Sequence, residues 1–445
     1  MSRFFPFSIC CLASVLLASW ATDAALGQED AEQAAQQIER LVQQLDDDDA
    51  ARRDEAEKAL VELGLQSATD GGEAFLRRLP KPNDRMPQEV QTRLARITGE
   101  VQTKAARQAV AETRVTLDVT DAPLAEVLAQ LGKQTGNKLT DHREQFGQQA
   151  AAKRITVKIE DEPFWSALDK ILDVAGMSTY PYSGEDSLGL VEREPGALGR
   201  AGRANYSGPF RIEATGVATQ RGLRAPDQSG LWVDLEIAWE PRLRPIALTQ
   251  AAADLKAVCD DGSEAPPASE DAVFDIEIQP GSHAAEVTIP LQLPARSAKS
   301  LATVKGTMTA LVPGRIVDMK FENLAKAADA SQETGGVTVT IDRVAKNQAL
   351  WEIHMRVAVE GLEAGLESHR GWVFQNVAIL QDKAGETIDN AGFETTMQTE
   401  EEAGFAYFYE LPEGTDIADC VWVYRTPAAI VSMPVQYELK DVPLP

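Results

Sequence analysis

Acid–base or nucleophilic catalysis needs a nucleophile, a base and an orienting group brought together, so the histidines come first. There are four, His142, His283, His354 and His369. None stands in a His-Glu-x-x-His run and none has a cysteine partner at zinc spacing, so they do not read as a metal site. His354 alternates onto the polar side of its strand beside Glu352 and Arg356, the setting of a surface histidine. No Gly-x-Ser-x-Gly elbow, phosphate loop or dinucleotide fingerprint occurs, and Gly199 and Gly202 lack the strand and helix that would give glycines such a role. The run Glu400, Glu401, Glu402 precedes an alternating strand at Phe405, Tyr407 and Tyr409 and reads as a solvated loop. Asp46 to Asp49 lack the alternating ligands and central glycine of a calcium loop; they read as an exposed turn that favours the positive N-terminus of the next helix. The sequence thus names no catalytic residue, no metal ligand and no cofactor.

Binding chemistry has more to draw on. Trp239, Trp351 and Trp422 fall where strand alternation predicts core, whereas Trp232 points the other way from Leu231 and Val233. It is the candidate ligand contact, placed to stack on a sugar. Cys10 and Cys11 fall within the first 27 residues; Cys259 and Cys420 lie in different expected domains, where two separately packed thiols and a bridge are both open readings. The 43 basic against 69 acidic side chains give a formal charge of -26, which repels a polyanion and excludes nucleic acid as the partner. Arg200, Arg203 and Arg211 are too sparse to reverse that and read as part of a solvated linker.

Residues 1–27 have the layout of a secretory signal. Arg3 supplies the positive start, Ile9 to Ala21 the apolar run, and Ala25-Leu26-Gly27 the small residues at a cleavage point. The run is shorter than the ~20 residues that span hydrocarbon, and no other candidate span follows, so the mature chain is expected outside the cytoplasm without an integral span. At 445 residues it suits about three domains of the usual ~100 to 200 residues.

Helical spacing governs 28–111: Ile38, Leu41, Val42 and Leu45 line one face, as do Ala56, Ala59, Leu60 and Leu63, with Gly64 a stop signal. The run Leu45, Arg52, Ala56, Leu60, Gly64 resembles a HEAT-type helical repeat. Next comes an internal duplication, Val115–Leu124 aligning without gaps on Ile155–Phe164 at an offset of forty residues. Each copy reads as a strand, an Asp-x-Pro step at Asp121/Pro123 or Asp161/Pro163 that opens a helix, and a closing Gly136 or Gly176. The expected α+β domain covers 113–194. These paired units resemble the short N-terminal domain of secretins and TonB-dependent receptors, a periplasmic module of two strand-helix-strand units. The resemblance implies protein–protein contact; neither a channel nor a barrel follows here, so secretion and siderophore uptake are not carried over.

A Gly-, Arg- and Ala-rich linker is expected at 195–208. Beyond it Leu231, Val233, Leu235, Ile237 and Trp239 alternate, as do Trp351, Ile353, Met355, Val357 and Val359, which predicts two antiparallel β-sandwiches at 209–330 and 335–445. The overall order resembles exported proteins of planctomycete-type bacteria. The expectation is a non-enzymatic binding or scaffolding protein of the bacterial envelope, in the periplasm or at the cell surface, engaging a protein through residues 113–194. The alternative is a carbohydrate or matrix binder that uses the tandem sandwiches.

Overall fold

A computed structural model describes residues 33–66, 72–83, 85–184, 186–225, 228–359, 371–399 and 401–445. The expected signal at 1–27, His369 and Glu400 lie outside the described residues. The chain is mostly β, in several antiparallel sheets, and its N-terminal helices fall within 33–110. No helix among the described residues is long and apolar enough to cross a membrane. The chain divides into two compact units between Ala105 and Ala106.

In the first unit a helix over 33–44 (α1) is followed by α2 (Ala50–Gln66), α3 (Glu73–Arg78) and α4 (Gln88–Val110), the last running past the unit boundary. The residues expected to face inward do so: Ile38, Leu41 and Leu45 share a core with Ala56, Leu60, Phe75 and Leu94. Asp49 accepts a hydrogen bond from Ala51 N–H at 2.9 Å, so the acidic turn caps the start of α2. Gly64 corrects an expectation. It lies inside α2 and ends nothing; a Cβ there would meet Val101 Cγ2 at 2.8 Å and Phe75 Cδ1 at 2.9 Å, so the missing side chain permits close packing.

The second unit opens with the duplicated segment. β1 (Arg114–Pro123) leads into α5 (Leu124–Thr135) and β2 (Leu139–Asp141); β3 (Arg154–Pro163) leads into α6 (Phe164–Ala175), β4 (Met177–Tyr180) and β5 (Leu188–Glu192). β1 and β3 form an antiparallel pair, while β2 lies parallel to β5 in a second sheet completed by β4. Val115, Leu117, Ile155 and Ile159 from the strands join Val127, Leu131, Leu168 and Ile171 from the helices in one core.

The remaining strands are β6 (Asn205–Ser207), β7 (Phe210–Gln220), β8 (Gly230–Trp239), β9 (Ala247–Ala251), β10 (Lys256–Cys259), β11 (Val273–Ile276), β12 (Ala284–Leu291) and β13 (Ser300–Phe321). After them come β14 (Ala330–Thr334), β15 (Val337–Asn347), β16 (Leu350–Val359), β17 (Val377–Gln381), β18 (Thr387–Asp389), β19 (Gly392–Gln398), β20 (Glu402–Tyr409) and β21 (Val421–Pro443). Two sheets, β12-β8-β7-β6 and β14-β15-β16-β20-β19, each pack on a third, β11-β9-β13-β21-β17-β18, with β10 paired to β13.

That third sheet contains one long ribbon. β13 and β21 pair in a single register from Ser300 opposite Pro443 to Phe321 opposite Trp422. Val304, Met308, Ala310 and Val312 enter a core with Leu231, Val233, Leu235 and Ile237. Further along, Met319 and Phe321 enter a different core with Ile353, Met355, Phe405 and Trp422. The first set sits at even positions and the second at odd, so the two cores use opposite faces of the ribbon. The boundary expected near 330–335 is therefore crossed: Val435, Tyr437 and Leu439, at the C-terminal end, complete the first core.

Candidate functional site

The duplication builds a pseudo-two-fold centre at Asp118 opposite Lys158. Leu117 faces Ile159 and Val119 faces Val157; on either side the register slips by one residue, at Thr116 and at Thr156. Each slip is filled the same way. Asp161 N–H donates to Thr116 Oγ1 at 3.1 Å, and Asp121 N–H donates to Thr156 Oγ1 at 2.9 Å. Both aspartates take the left-handed conformation at φ 47. Arg114 Nε donates to Asp161 at 2.8 Å, and Arg154 Nε donates to Asp121 at 2.9 Å; each guanidinium also reaches the same aspartate's carbonyl. The Asp-x-Pro steps do open the helices, with Pro123 and Pro163 at the cap positions and no side-chain bond there. Asp121 and Asp161 instead brace each repeat to the other.

The two helices differ in what they touch. On α6, Asp169 is fully buried and accepts from Arg211 Nε at 2.8 Å, Arg200 Nε at 2.8 Å and Tyr206 O–H at 2.9 Å. Trp165 Nε1 donates to Pro209 O at 3.1 Å, and Asp173 accepts from the backbone N–H groups of Arg200 and Ala201. Desolvation works against the Asp173 charge, but those two N–H groups and Arg193 outweigh it and hold the carboxyl below its ordinary range. Burial likewise opposes charge on Arg211, yet Asp169 and Glu213 keep its guanidinium more basic than usual. Arg211 therefore corrects the solvated-linker expectation, because it is 0 % exposed. Glu236, whose carboxyl Oε1 lies 3.8 Å from Arg211, is pushed above its ordinary range, chiefly by burial. A second clamp centres on buried Glu240, which accepts from Thr113 N–H and O–H, Asn137 Nδ2 and Arg242 Nε. The duplicated module is thus fastened to the β scaffold by buried polar groups.

On α5 the residues forty positions earlier, Ala125, Ala129 and Lys133, are exposed. The strand edges are also unequal. The Gln134 side chain accepts from Thr116 N–H at 3.0 Å and donates to Thr116 O at 2.9 Å, occupying the main-chain groups that a neighbouring strand would use. Its counterpart on α6 is Val174, 56 % exposed and without a polar group to offer Thr156. Among the described residues no strand pairs with the outer edge of β3. Thr156, Lys158 and Glu160 lie exposed along it.

A concavity of about 750 Å³ lies over the ribbon where the two cores meet. Trp372, Ile278, Ile316 and Val377 give it apolar walls, and Arg244 and Arg425 stand at its rim. Both arginines are engaged, Arg425 bidentately with Asp318 and Arg244 with Asp186 at 2.5 Å.

The residues singled out by sequence are scattered. His142 and His283 are buried, and His283 links module to scaffold: its backbone N–H donates to Pro181 O, and its carbonyl accepts from Trp239 N–H. His354 is half-buried, 3.0 Å from both Glu352 and Arg343. Among the described residues no three His, Cys, Asp or Glu groups converge as metal ligands. Cys259 and Cys420 are free and buried in separate cores. Trp239 and Trp422 are core residues, while Trp351 is half-buried with the Lys346 ammonium 5.7 Å from its ring centre. Trp232 is half-buried too, its ring packed over Gly230, where a Cβ would come within 3.0 Å of Cη2. Sequence reasoning missed Asp169, Glu240, Gln134 and Val174. Aligning the two repeats beyond Leu124 would have shown Val174 standing where Gln134 stands. No family model matches the chain, and no curated protein or solved structure is significantly similar to it.

Proposed function

We propose that this is an exported, non-enzymatic binding or scaffolding protein of the bacterial cell envelope that engages a protein partner through the module at 113–194. The reading takes the module as akin to the secretin and TonB-receptor short N-terminal domain, the helices before it as HEAT-like and the sheets after it as a pair of fused β-sandwiches. The observation that carries it is the uncapped outer edge of β3 on a module held rigidly by Asp169 and Glu240. A strand edge with free main-chain donors and acceptors recognises an extended polypeptide through backbone hydrogen bonds. Rigid attachment means that little ordering is needed before contact, which favours affinity.

The test is a photo-crosslinking amino acid placed at Lys158 on β3 and, as a control, at Lys326 on the β scaffold, in cells that export the chain. A protein adduct specific to position 158 supports the reading. Adducts equal at both positions, or none at 158, would overturn it. The glycan-binding alternative rests on Trp232, and the packing of its ring over Gly230 makes that indole a weaker platform than the exposed edge.

A further inference from the structure

The open edge has a self-complementary charge pattern. Thr116 is skipped by the β1–β3 pairing and turns its N–H and C=O outward to Gln134; the pseudo-two-fold places Thr156 likewise, with Lys158 and Glu160 following at the two-residue period. Arg154, Thr156, Lys158 and Glu160 are exposed along this edge, and no other strand among the described residues covers it. Two copies of β3 laid antiparallel can pair in a few registers. Centred on Val157, the pairing sets Arg154 opposite Glu160 of the second copy and Thr156 opposite Lys158. A shift one way sets Arg154 opposite Lys158, and a shift the other way sets Lys158 opposite Lys158, both like-charge pairs that disfavour association. The Val157-centred register matches Arg154 with Glu160, and an Ile159-centred one matches Lys158 with Glu160; both avoid such a clash.

We propose that β3 is the seam of a symmetric homodimer, two chains joining edge to edge about Val157 or Ile159 into a four-stranded sheet β1-β3-β3-β1. This rests on the function proposed above and names the partner as a second copy. Val174 of each chain is carried to the seam, and the missing amide on α6 is what leaves the edge open; Gln134 closes β1, so the sheet stops at four strands. A two-fold contact uses the same patch twice, as a self-complementary edge requires.

The experiment is sedimentation velocity of the purified full chain over a concentration series, alongside Val174→Gln and Glu160→Lys. Val174→Gln supplies β3 with the amide that β1 has, and Glu160→Lys sets a lysine opposite Arg154 in one register and opposite Lys158 in the other. Both positions are exposed, and unchanged thermal unfolding checks that the variants fold. Expected is a concentration-dependent dimer whose dissociation constant rises about tenfold or more in each variant, a change of ~1.4 kcal/mol. A chain monomeric throughout, or a dimer that both variants leave intact, overturns the proposal. If the chain is monomeric but the Lys158 probe still captures a different polypeptide, the homodimer is wrong and the binding function stands.

Discussion

At the scale of single residues the charge buried between α6 and the β scaffold dominates. Removing one partner of a buried ion pair leaves the other uncompensated, at about 3–5 kcal/mol. Asp169→Ala is therefore expected to lower stability by about that amount in urea unfolding, while Lys133→Ala on the exposed face of α5 changes it by less than about 0.5 kcal/mol. Glu236 predicts the opposite sign. Its folded-state carboxyl is raised, so its contribution to stability is full below the unfolded value near 4.5 and is lost as pH rises through the folded value. Glu236→Gln should thus melt higher than the parent chain at pH 7, with the gap closing towards pH 4; an equal gap at both pH values sinks this assignment. Neither residue was legible in the sequence. Arg211 looks like any linker arginine until Asp169, 42 positions earlier, is brought against it by the docking of α6. Gly64 misled for a related reason: glycine within a helix can mark an end or a close neighbour, and only Phe75 and Val101 decide which.

Elements are more legible than contacts. Period-two and period-3.6 patterns place β1, β3, α5 and α6, because each buries one face against the other copy and so keeps a regular apolar stripe. The same pattern says nothing about which aspartate turns left-handed. Asp121 and Asp161 do so in equivalent places, which gives a paired prediction. Asp121→Ala and Asp161→Ala should each cost about 1–2 kcal/mol, since alanine at φ 47 is strained, and the two penalties should agree. The glycine variants should lose less, as glycine takes that conformation freely. Urea denaturation of the four variants checks it, and a large penalty at one site alone would show that the braces are not equivalent. The unequal edges are legible only by comparing the repeats where they diverge, since one exchange, Gln134 for Val174, changes no apolar periodicity.

Across the whole molecule the ribbon of β13 and β21 joins what the sequence divides. Alternation in 231–239 and 351–359 is enough to predict two β regions, but a strand whose residues from Val304 to Val312 serve one core at even positions while Met319 and Phe321 serve another at odd ones reads as continuous and ambiguous. A fragment of 335–445 lacks Met319 and Phe321 and is expected not to fold alone, as circular dichroism and amide exchange would show. A chain ending at Ser432 loses Val435, Tyr437 and Leu439 and should lose exchange protection at Leu231 and Leu235 on β8, about two hundred positions earlier. Retained protection there would mean that the first core stands without the ribbon's end.

The placement of those last residues also orders events in time. Synthesis delivers β8 about two hundred residues before the tail of β21, so a nascent chain holds an unsealed greasy cleft over that whole stretch of elongation. The β13–β21 pairing, the most widely separated in sequence among the described strands, is therefore expected to form slowest.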